Sequence, residues 1–346
     1  MFVTTLRAAH IIDAPLMDAP HGPDMNDLAQ YANAFDGITP WSGQVPRGYL
    51  VDFLGTLTDV RLCTLLDLDP AQVGGEAVTT SLPTIADGEF WFEAVNWVAA
   101  AREAQRSYTM VTLGACFAAQ AVGSYRALRQ LNPMPAKLVA VEPEPDNRQW
   151  AIRHLRDNGI DPEEHWLLPY AISDSTDPVY FPVGSPGTGA QNCFATNERA
   201  AREFYVRELL SRADIDKTLE NLILHNTTGI TKDLVPGRNF NAEIKLVSAI
   251  TLKEVLSPFA IVDYVESDIQ QSEIVVFPHY MDLLRRKVRR IHIGTHGVDV
   301  HKALHEQFAE NGWTIVFSYE PNGSFTSELG SFTTNDGVLT VRNPDL

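Results

Sequence analysis

Cysteine is scarce in this chain of 346 residues, which contains only Cys63, Cys116 and Cys193. An odd number of widely spaced thiols provides neither a disulfide framework nor the paired Cys-x-x-Cys ligands of a zinc site. Such a composition is typical of a protein in a reducing compartment. We therefore expect a cytoplasmic protein without structural disulfides.

Positive charge and long apolar runs are also in short supply. The 27 lysine and arginine residues stand against 44 aspartate and glutamate residues, which gives a formal net charge of −17. An acidic chain repels nucleic-acid phosphates and anionic membrane surfaces, so we expect neither as a partner. The most apolar stretch, residues 110–119, is about half of the roughly 20 residues that span a bilayer. The first residues lack the apolar core of a signal peptide.

The first 90 residues differ in composition from the rest of the chain. Proline and glycine recur at short intervals up to residue 60, a spacing that favours turns and short strands over long helices. In this part, residues 48–55 are typical of a strand. The sequence therefore predicts an N-terminal extension over 1–90 and a main domain over 91–346.

Beyond residue 90, segments typical of buried strands alternate with helical segments. The predicted strands are 108–114, 137–142, 165–172, 261–267, 288–294, 313–319 and 337–342. The predicted helices are 92–104, 117–131, 146–158, 273–284 and 299–311. This alternation predicts a parallel sheet with helices on both faces. No helix is predicted between the last two strands, so we expect them to pair antiparallel at the edge of the sheet.

A long insertion interrupts the alternation over residues 184–241. It begins with residues rich in Gly, Ser, Thr and Asn and includes a helix-prone segment over 198–210. Long insertions of this kind frequently form a lid or one wall of a substrate pocket. The side chains that we expect to hold hydroxyl groups there are Asn192, Asn197, Asn226 and Arg238.

Two residues at strand ends indicate a site for an adenosine-containing cofactor. Gly114 ends the first predicted strand, where a turn without a side chain lets a ligand approach the backbone. Glu142 ends the second strand, 28 residues later, where a carboxylate can accept both ribose hydroxyls. Because Cys116 and Ala119 occupy positions of the later glycines in Gly-x-Gly-x-x-Gly, a nicotinamide-dependent oxidoreductase is a weaker alternative. A tight turn next to an unrelated glutamate is the purely structural alternative.

Four motifs in a fixed order resemble the FkbM family of S-adenosylmethionine-dependent O-methyltransferases. They are Val-Thr-Leu-Gly-Ala at 111–115, Val-Ala-Val-Glu-Pro at 139–143, Pro-Tyr-Ala-Ile-Ser-Asp at 169–174 and Ile-Val-Asp-Tyr-Val-Glu-Ser-Asp-Ile-Gln-Gln-Ser-Glu at 261–273. The resemblance extends over residues 108–320. It implies a class I methyltransferase fold, a Rossmann-like α/β architecture with a seven-strand, mostly parallel sheet, here with an N-terminal extension and a long helical insertion.

The resemblance also implies which residues would bind S-adenosylmethionine. The loop after the first strand would contact its methionine end, the end of the second strand its ribose, the third motif its adenine, and the fourth motif its reactive methyl group. In that order these residues are Leu113, Gly114, Ala115 and Cys116; Glu142, Pro143 and Glu144; Ala171 and Ile172; and Asp268 and Ile269.

Methyl transfer to a hydroxyl group requires a base next to the acceptor. His296 follows a predicted strand on the side of the sheet where ligands bind, and an ordinary histidine pKa near 6.5 suits a base. A hydrogen bond that only closes the loop is an equally good interpretation of His296. Asp268 is the second catalytic candidate, as a base or as a cofactor ligand. Glu273 is interpreted as an acid in the first turn of a helix.

We expect no metal site. His301 and His305 are four residues apart on one predicted helix, but the sequence lacks the glutamate of the His-Glu-x-x-His zinc motif. The pair is therefore better interpreted as one face of a helix than as a set of ligands.

The expected function is methylation of a hydroxyl group on a small molecule, a sugar or a secondary metabolite. Exposed apolar residues in the N-terminal extension are compatible with a homodimer. The residues that depart from the family pattern are Thr112, Cys116, Ala118 and Gln271, together with Glu266 and Ser267. These departures leave open an alternative, a catalytically degenerate methyltransferase-like protein with a binding or assembly role.

Overall fold

The computed structural model describes residues 27–62, 68–184, 198 and 243–346. The insertion predicted over 184–241 lies outside these residues, apart from its two positions 184 and 198. The four side chains predicted to hold hydroxyl groups, Asn192, Asn197, Asn226 and Arg238, therefore remain predictions.

The described residues form short strands and helices in alternation. The strands are β1 (Ser42–Gln44), β2 (Tyr49–Val51), β3 (Leu57–Asp59), β4 (Ala77–Thr79), β5 (Tyr108–Leu113), β6 (Ala136–Val141), β7 (Trp166–Leu168), β8 (Ala171–Ser173), β9 (Val179–Val183), β10 (Glu243–Val247), β11 (Ala249–Thr251), β12 (Val262–Ser267), β13 (Val288–Thr295), β14 (Thr314–Tyr319), β15 (Ser324–Ser327), β16 (Gly330–Thr333) and β17 (Gly337–Arg342). The α-helices are α1 (Glu89–Glu103), α2 (Ala119–Leu131), α3 (Pro145–Asp157), α4 (Leu252–Leu256), α5 (Glu273–Val276), α6 (Met281–Lys287) and α7 (Val298–Glu310). Short 3₁₀ helices cover Leu28–Tyr31, Val60–Leu62, Ile85–Asp87, Pro162–Glu164 and Pro278–Tyr280.

Seven strands form the central sheet in the order β14-β17-β13-β12-β5-β6-β7. Strands β7, β6, β5, β12 and β13 pair in parallel, whereas β17 is antiparallel to both of its neighbours. This order, with one antiparallel strand inserted near one edge, is the class I methyltransferase fold that the sequence predicts. The predicted antiparallel pairing of the last two strands is confirmed, although β17 lies inside the sheet and only β14 is at its edge.

Three predicted elements are shorter in the structure than in the sequence analysis. The strand predicted over 48–55 is confined to β2, and the strand predicted over 165–172 divides at Pro169 into β7 and β8. Strand β8 pairs with β11 outside the central sheet. The helix predicted over 273–284 is interrupted by the 3₁₀ turn at Pro278, because proline has no N–H for the helical hydrogen bond.

The two faces of the sheet belong to two hydrophobic cores. On one face, buried side chains of β5, β12 and β13 such as Val111, Val265 and Ile291 pack with helices α4 to α7. On the other face, Tyr108 and Tyr264 pack with the aromatic side of α1. The N-terminal residues from Leu28 onward belong to this second core, which also includes the buried side chains Phe35, Phe53, Trp91 and Phe92. The segment before α1 is thus fastened to the sheet domain through shared apolar packing.

The carboxyl ends of β5 and β12 are pressed together at one point. Gly114 has φ +72°, and a Cβ atom added to it would lie 2.0 Å from the carbonyl oxygen of Asp268. The backbone of the same turn is tied across this junction, since the Asp268 N–H donates to the carbonyl oxygen of Leu113 at 3.0 Å. Glycine is therefore required at position 114 by both conformation and space.

A comparison of two glycines separates these requirements. Gly159 has nearly the same φ, +71°, but no atom lies within 4 Å of its added Cβ. We expect Gly159→Ala to cost about 1 kcal/mol of unfolding free energy because of its left-handed backbone. Gly114→Ala should cost at least ~2 kcal/mol more, since overlap with a backbone carbonyl adds to that strain. Urea denaturation of the two variants measures the difference, and equal losses would contradict the close contact.

Candidate functional site

A cavity opens at the carboxyl ends of the central strands, where open α/β sheets bind ligands. Its lining residues are Gly114, Cys116, Val141, Glu142, Pro143, Asn147, Ala171, Ile172, Phe181, Asp268, Ile269 and Gln270. The structure thus brings together residues from all four sequence motifs. The predicted cofactor residues found in this lining are Gly114, Cys116, Glu142, Pro143, Ala171, Ile172, Asp268 and Ile269.

Three predicted cofactor residues surround the cavity without lining it. The Leu113 side chain is fully buried in the apolar core on the α4–α7 face. The Ala115 N–H donates to the carbonyl oxygen of Val141 at 3.1 Å, and this bond helps to hold the β5 turn. The Glu144 carboxylate accepts the N–H of Gly184 at 3.1 Å and that of Asp146 at 3.3 Å, the latter at the start of α3. These residues support the walls, and their contact with a cofactor stays a prediction.

The loop after β5 keeps a glycine-like backbone without the usual glycines. Cys116 and Ala118 have φ of 47° and 62°, in the left-handed region that favours glycine. Each such residue costs about 1–2 kcal/mol. A hydrogen bond offsets part of that cost, because the Cys116 N–H donates to Glu142 Oε2 at 2.7 Å. The side chains that replace glycine therefore change the surface of the loop while the course of its backbone is retained.

Glu142 joins the first two strand ends. Its Oε2 accepts the Cys116 N–H and its Oε1 accepts the Glu144 N–H at 2.8 Å. Burial raises the pKa of Glu142 to about 7, although these hydrogen bonds favour the charged form. The Asn147 side chain also forms a hydrogen bond with this carboxylate. Because a carboxylate has about four lone-pair sites, these three bonds leave capacity for a ribose hydroxyl on the cavity side.

Four of the lining residues, Val141, Asn147, Phe181 and Gln270, were not predicted from the sequence as site residues. Val141 precedes Glu142 on β6, and Asn147 lies in the first turn of α3. Phe181 is on β9, is 5% exposed, and packs against Ala171 on the adenine side predicted for the cavity. Asn147 could have been found from its position one helical turn beyond a strand-end carboxylate. Phe181 carried no signal, because β9 pairs with β10 across the insertion.

His296 lies in a cluster of polar side chains at the edge of this cavity. Its Nε2 is 3.2 Å from Asp268 Oδ1, and its Nδ1 is 3.4 Å from Glu273 Oε1. The side-chain amide group of Gln270 lies 3.0 Å from Asp268 Oδ1 and 2.8 Å from His296 Nε2. Asp336, which precedes β17, is 3.6 Å from the same ring nitrogen. The two catalytic candidates of the sequence analysis are therefore in direct contact.

The charge on His296 differs from the sequence expectation. Burial by itself lowers the pKa of His296, but a hydrogen bond to Asp268 and the attraction of the Asp268 and Glu273 carboxylates outweigh it and raise the pKa to about 11. The ring is consequently protonated at neutral pH and has no free lone pair for a proton. The expectation of an ordinary pKa near 6.5 is wrong because two carboxylates flank a ring that is only 8% exposed.

Three further glutamates lie close to this cluster: Glu89 and Glu93 on helix α1, and Glu266 on β12. Burial, reinforced by repulsion between neighbouring acids, raises the pKa of Glu89 to about 7 and that of Glu93 to about 8. Burial also raises the pKa of Glu266 well above its ordinary value. Glu266 is the register partner of Thr112 on β5. Two residues that depart from the pattern of the resembled family are thus side by side on adjacent strands.

The histidine pair on α7 has partners within the protein. His301 Nδ1 lies 2.9 Å from Thr295 Oγ1, and His301 Nε2 lies 3.0 Å from Ser318 Oγ. His305 Nδ1 is 2.8 Å from the same serine hydroxyl. In the part of the chain that the structure describes, no group of three or more His, Cys, Asp or Glu side chains is arranged to hold a metal ion. No helix among the described residues has the length and apolarity needed to cross a membrane.

Comparison by sequence finds no family model that matches the chain and no curated protein with significant similarity. Among solved structures, precorrin-6y C5,15-methyltransferase from Geobacter metallireducens is 10% identical, with a TM-score of 0.36 over 72% of this chain and 86% of that one. A human methyltransferase 10 domain containing protein is also 10% identical, with a TM-score of 0.36 over 77% and 85%. Methyltransferase FkbM from Methylobacillus flagellatus is 9% identical, with a TM-score of 0.34 over 69% and 45%. Because these TM-scores are low, the fold assignment depends on the strand order, and membership of the FkbM family stays a prediction.

Proposed function

We propose that this protein is an S-adenosylmethionine-dependent methyltransferase that acts on a hydroxyl group of a small molecule, a sugar or a secondary metabolite. The observation that carries the proposal is the bond between Cys116 N–H and Glu142 Oε2. It joins a glycine-type loop to a strand-end carboxylate at one cavity of a class I methyltransferase fold. The hydroxyl acceptor is the finer part of the proposal, and it is supported by the resemblance in the four motifs.

The residues of the cavity fit the parts of S-adenosylmethionine. Gly114 leaves backbone accessible for the methionine part, Glu142 offers carboxylate lone pairs to the ribose, and Ala171, Ile172 and Phe181 provide an apolar wall for the adenine. When bound, the cofactor supplies a methyl group on a positively charged sulfur. The loop residues then have the task of holding that group in line with the acceptor oxygen, which by itself can account for much of the rate enhancement.

Asp268 is the residue that we assign to proton removal. Its side chain is 48% exposed, lines the cavity and contacts His296 on its other side. The protonated His296 cannot accept a proton, but its charge attracts and orients the Asp268 carboxylate. In this arrangement Asp268 accepts the hydroxyl proton of the acceptor while the acceptor oxygen is methylated. His296 is then a positioning residue.

Calorimetric titration with S-adenosylhomocysteine, with NADH as the comparison ligand, tests the cofactor part of the proposal. We expect micromolar affinity for S-adenosylhomocysteine and none for NADH. Binding of NADH alone would favour an oxidoreductase. Binding of S-adenosylhomocysteine without turnover of S-adenosylmethionine on a broad panel of hydroxyl compounds would favour a binding or assembly role. Binding of neither ligand would contradict the proposal.

The affinity for S-adenosylhomocysteine should depend on pH through Glu142. A carboxyl with its pKa at about 7 is ionised above that pH and protonated below it, and we expect only the ionised form to accept a ribose hydroxyl. Because affinity scales with the competent fraction, it should fall roughly tenfold between pH 8 and pH 6. Glu142→Gln should weaken binding at pH 8 and abolish this dependence. Glu144→Gln, which changes another buried acid beside the cavity, should retain the pH dependence. An affinity of the wild type that does not change with pH would overturn the ribose assignment.

Asp268→Asn should lower the turnover number about 10²-fold or more, as loss of a general base does. Its affinity for S-adenosylhomocysteine should change less than about threefold. Asp336→Asn is the matched control, because Asp336 Oδ1 is 3.6 Å from His296 Nε2 but does not line the cavity. Transfer of labelled methyl groups to the acceptor found in the panel gives the rates. Equal losses in the two variants would remove Asp268 from the proton step.

A further inference from the structure

We propose that Glu273 is a positioning residue of the transfer site, whose buried carboxylate holds the loop 268–270 and the His296 ring in one arrangement. This inference rests on the proposed function, because the role given to Glu273 is to fix the geometry of the proposed transfer site. The sequence pattern around Glu273 indicates only an acid in the first turn of a helix.

One carboxylate oxygen makes both contacts. Glu273 Oε1 accepts the Ile269 N–H at 2.9 Å and lies 3.4 Å from His296 Nδ1. The Glu273 side chain is fully buried, so this carboxylate is shielded from water. Ile269 stands between Asp268 and Gln270, and all three line the cavity. A single atom therefore connects the backbone of the cavity wall to the ring that orients the proposed base.

The loop 268–270 needs the hydrogen bond from Glu273 because its backbone conformation is unfavourable by itself. Gln270 and Gln271 follow each other in the left-handed region, with φ of 53° and 74°. Side chains that carry a Cβ atom seldom adopt this conformation twice in succession. The loop is fixed on one side by the Asp268 N–H bond to the carbonyl oxygen of Leu113 and on the other by Glu273. Without the hydrogen bond to Glu273, the Asp268 side chain is no longer held toward the cavity.

The positive charge of the His296 ring favours a carboxylate at position 273. Glu273 Oε2 has no hydrogen-bond partner among the described residues, so the positive ring is the main compensation for its burial. The groups that face His296 are Asp268 and Gln270 from the loop, Glu273 from α5 and Asp336 from the segment before β17. Of these, Glu273 is the only carboxylate on the Nδ1 side of the ring.

Two substitutions separate the hydrogen bond from the charge. Glu273→Gln keeps an oxygen that can accept the Ile269 N–H but removes the charge, whereas Glu273→Ala removes both. Asp263→Asn is the matched control, because Asp263 lies on β12 at the end opposite the loop 268–270. Asp263 is also buried, accepts the Thr109 N–H at 2.8 Å and pairs with Arg289 at 3.2 Å.

The first readout is the titration of the His296 ring, followed by NMR in the full chain. We expect the ring to stay protonated up to about pH 10 in the wild type and in Asp263→Asn. In Glu273→Gln its titration should move at least one pH unit lower. In Glu273→Ala, exchange of the Ile269 amide hydrogen should also accelerate at least tenfold. An unmoved His296 titration in Glu273→Gln would overturn the inference, even if Glu273→Ala fails to fold.

Cofactor binding and turnover provide the second readout. Glu273→Gln should lower the turnover number at least tenfold while affinity for S-adenosylhomocysteine changes less than about threefold, and Asp263→Asn should change neither. Unchanged turnover in Glu273→Gln would overturn the inference and leave the proposed function standing. Failure of the wild type to bind S-adenosylhomocysteine would contradict the proposed function, while the His296 titration would still decide whether Glu273 controls the ring.

Discussion

The contact between the Gly114 backbone and the carbonyl oxygen of Asp268 is the constraint on which the site depends. It closes the junction between β5 and β12, two neighbouring parallel strands in the middle of the sheet. The cavity residues Cys116 and Ile269 follow directly from the two sides of this junction. Since no side chain fits between the two backbones, the distance from the cofactor loop to the proposed base is set by main-chain atoms. Substitutions elsewhere in the loop can alter the cavity surface without changing this distance.

Electrostatics in the site follow from placing one cation among many acids. Ionised carboxylates are costly to bury, and the structure meets this cost in two ways. Glu273 and Asp268 are matched by the protonated His296, whereas burial raises the pKa of Glu93 to about 8 and that of Glu266 well above its ordinary value. The site therefore has fewer charges than its sequence suggests, and those that it keeps are arranged around a single ring.

The fold was more predictable from sequence than the site. Continuous apolar runs such as Tyr108–Leu113 identified the buried strands, and their alternation with helices predicted the parallel sheet. The division of 165–172 and the insertion of β17 between β13 and β14 depend on pairing with distant residues, which local patterns do not encode. Glycine and acid at strand ends located the cavity, but the state of His296 depends on Glu273, a partner 23 positions earlier in the chain. Spacing alone cannot reveal such a contact.

The left-handed Cys116 and Ala118 have a consequence for the entropy of binding. A loop with glycine at both positions would have more backbone states available in the unbound protein, and the loop would lose that freedom when a ligand binds. Cysteine and alanine narrow the choice before any ligand arrives, and the Glu142 bond selects one member of the reduced set. The cost of ordering the loop is thus met during folding. A site organised in this way discriminates between ligands by shape, because its wall has little freedom to adjust to a poor fit.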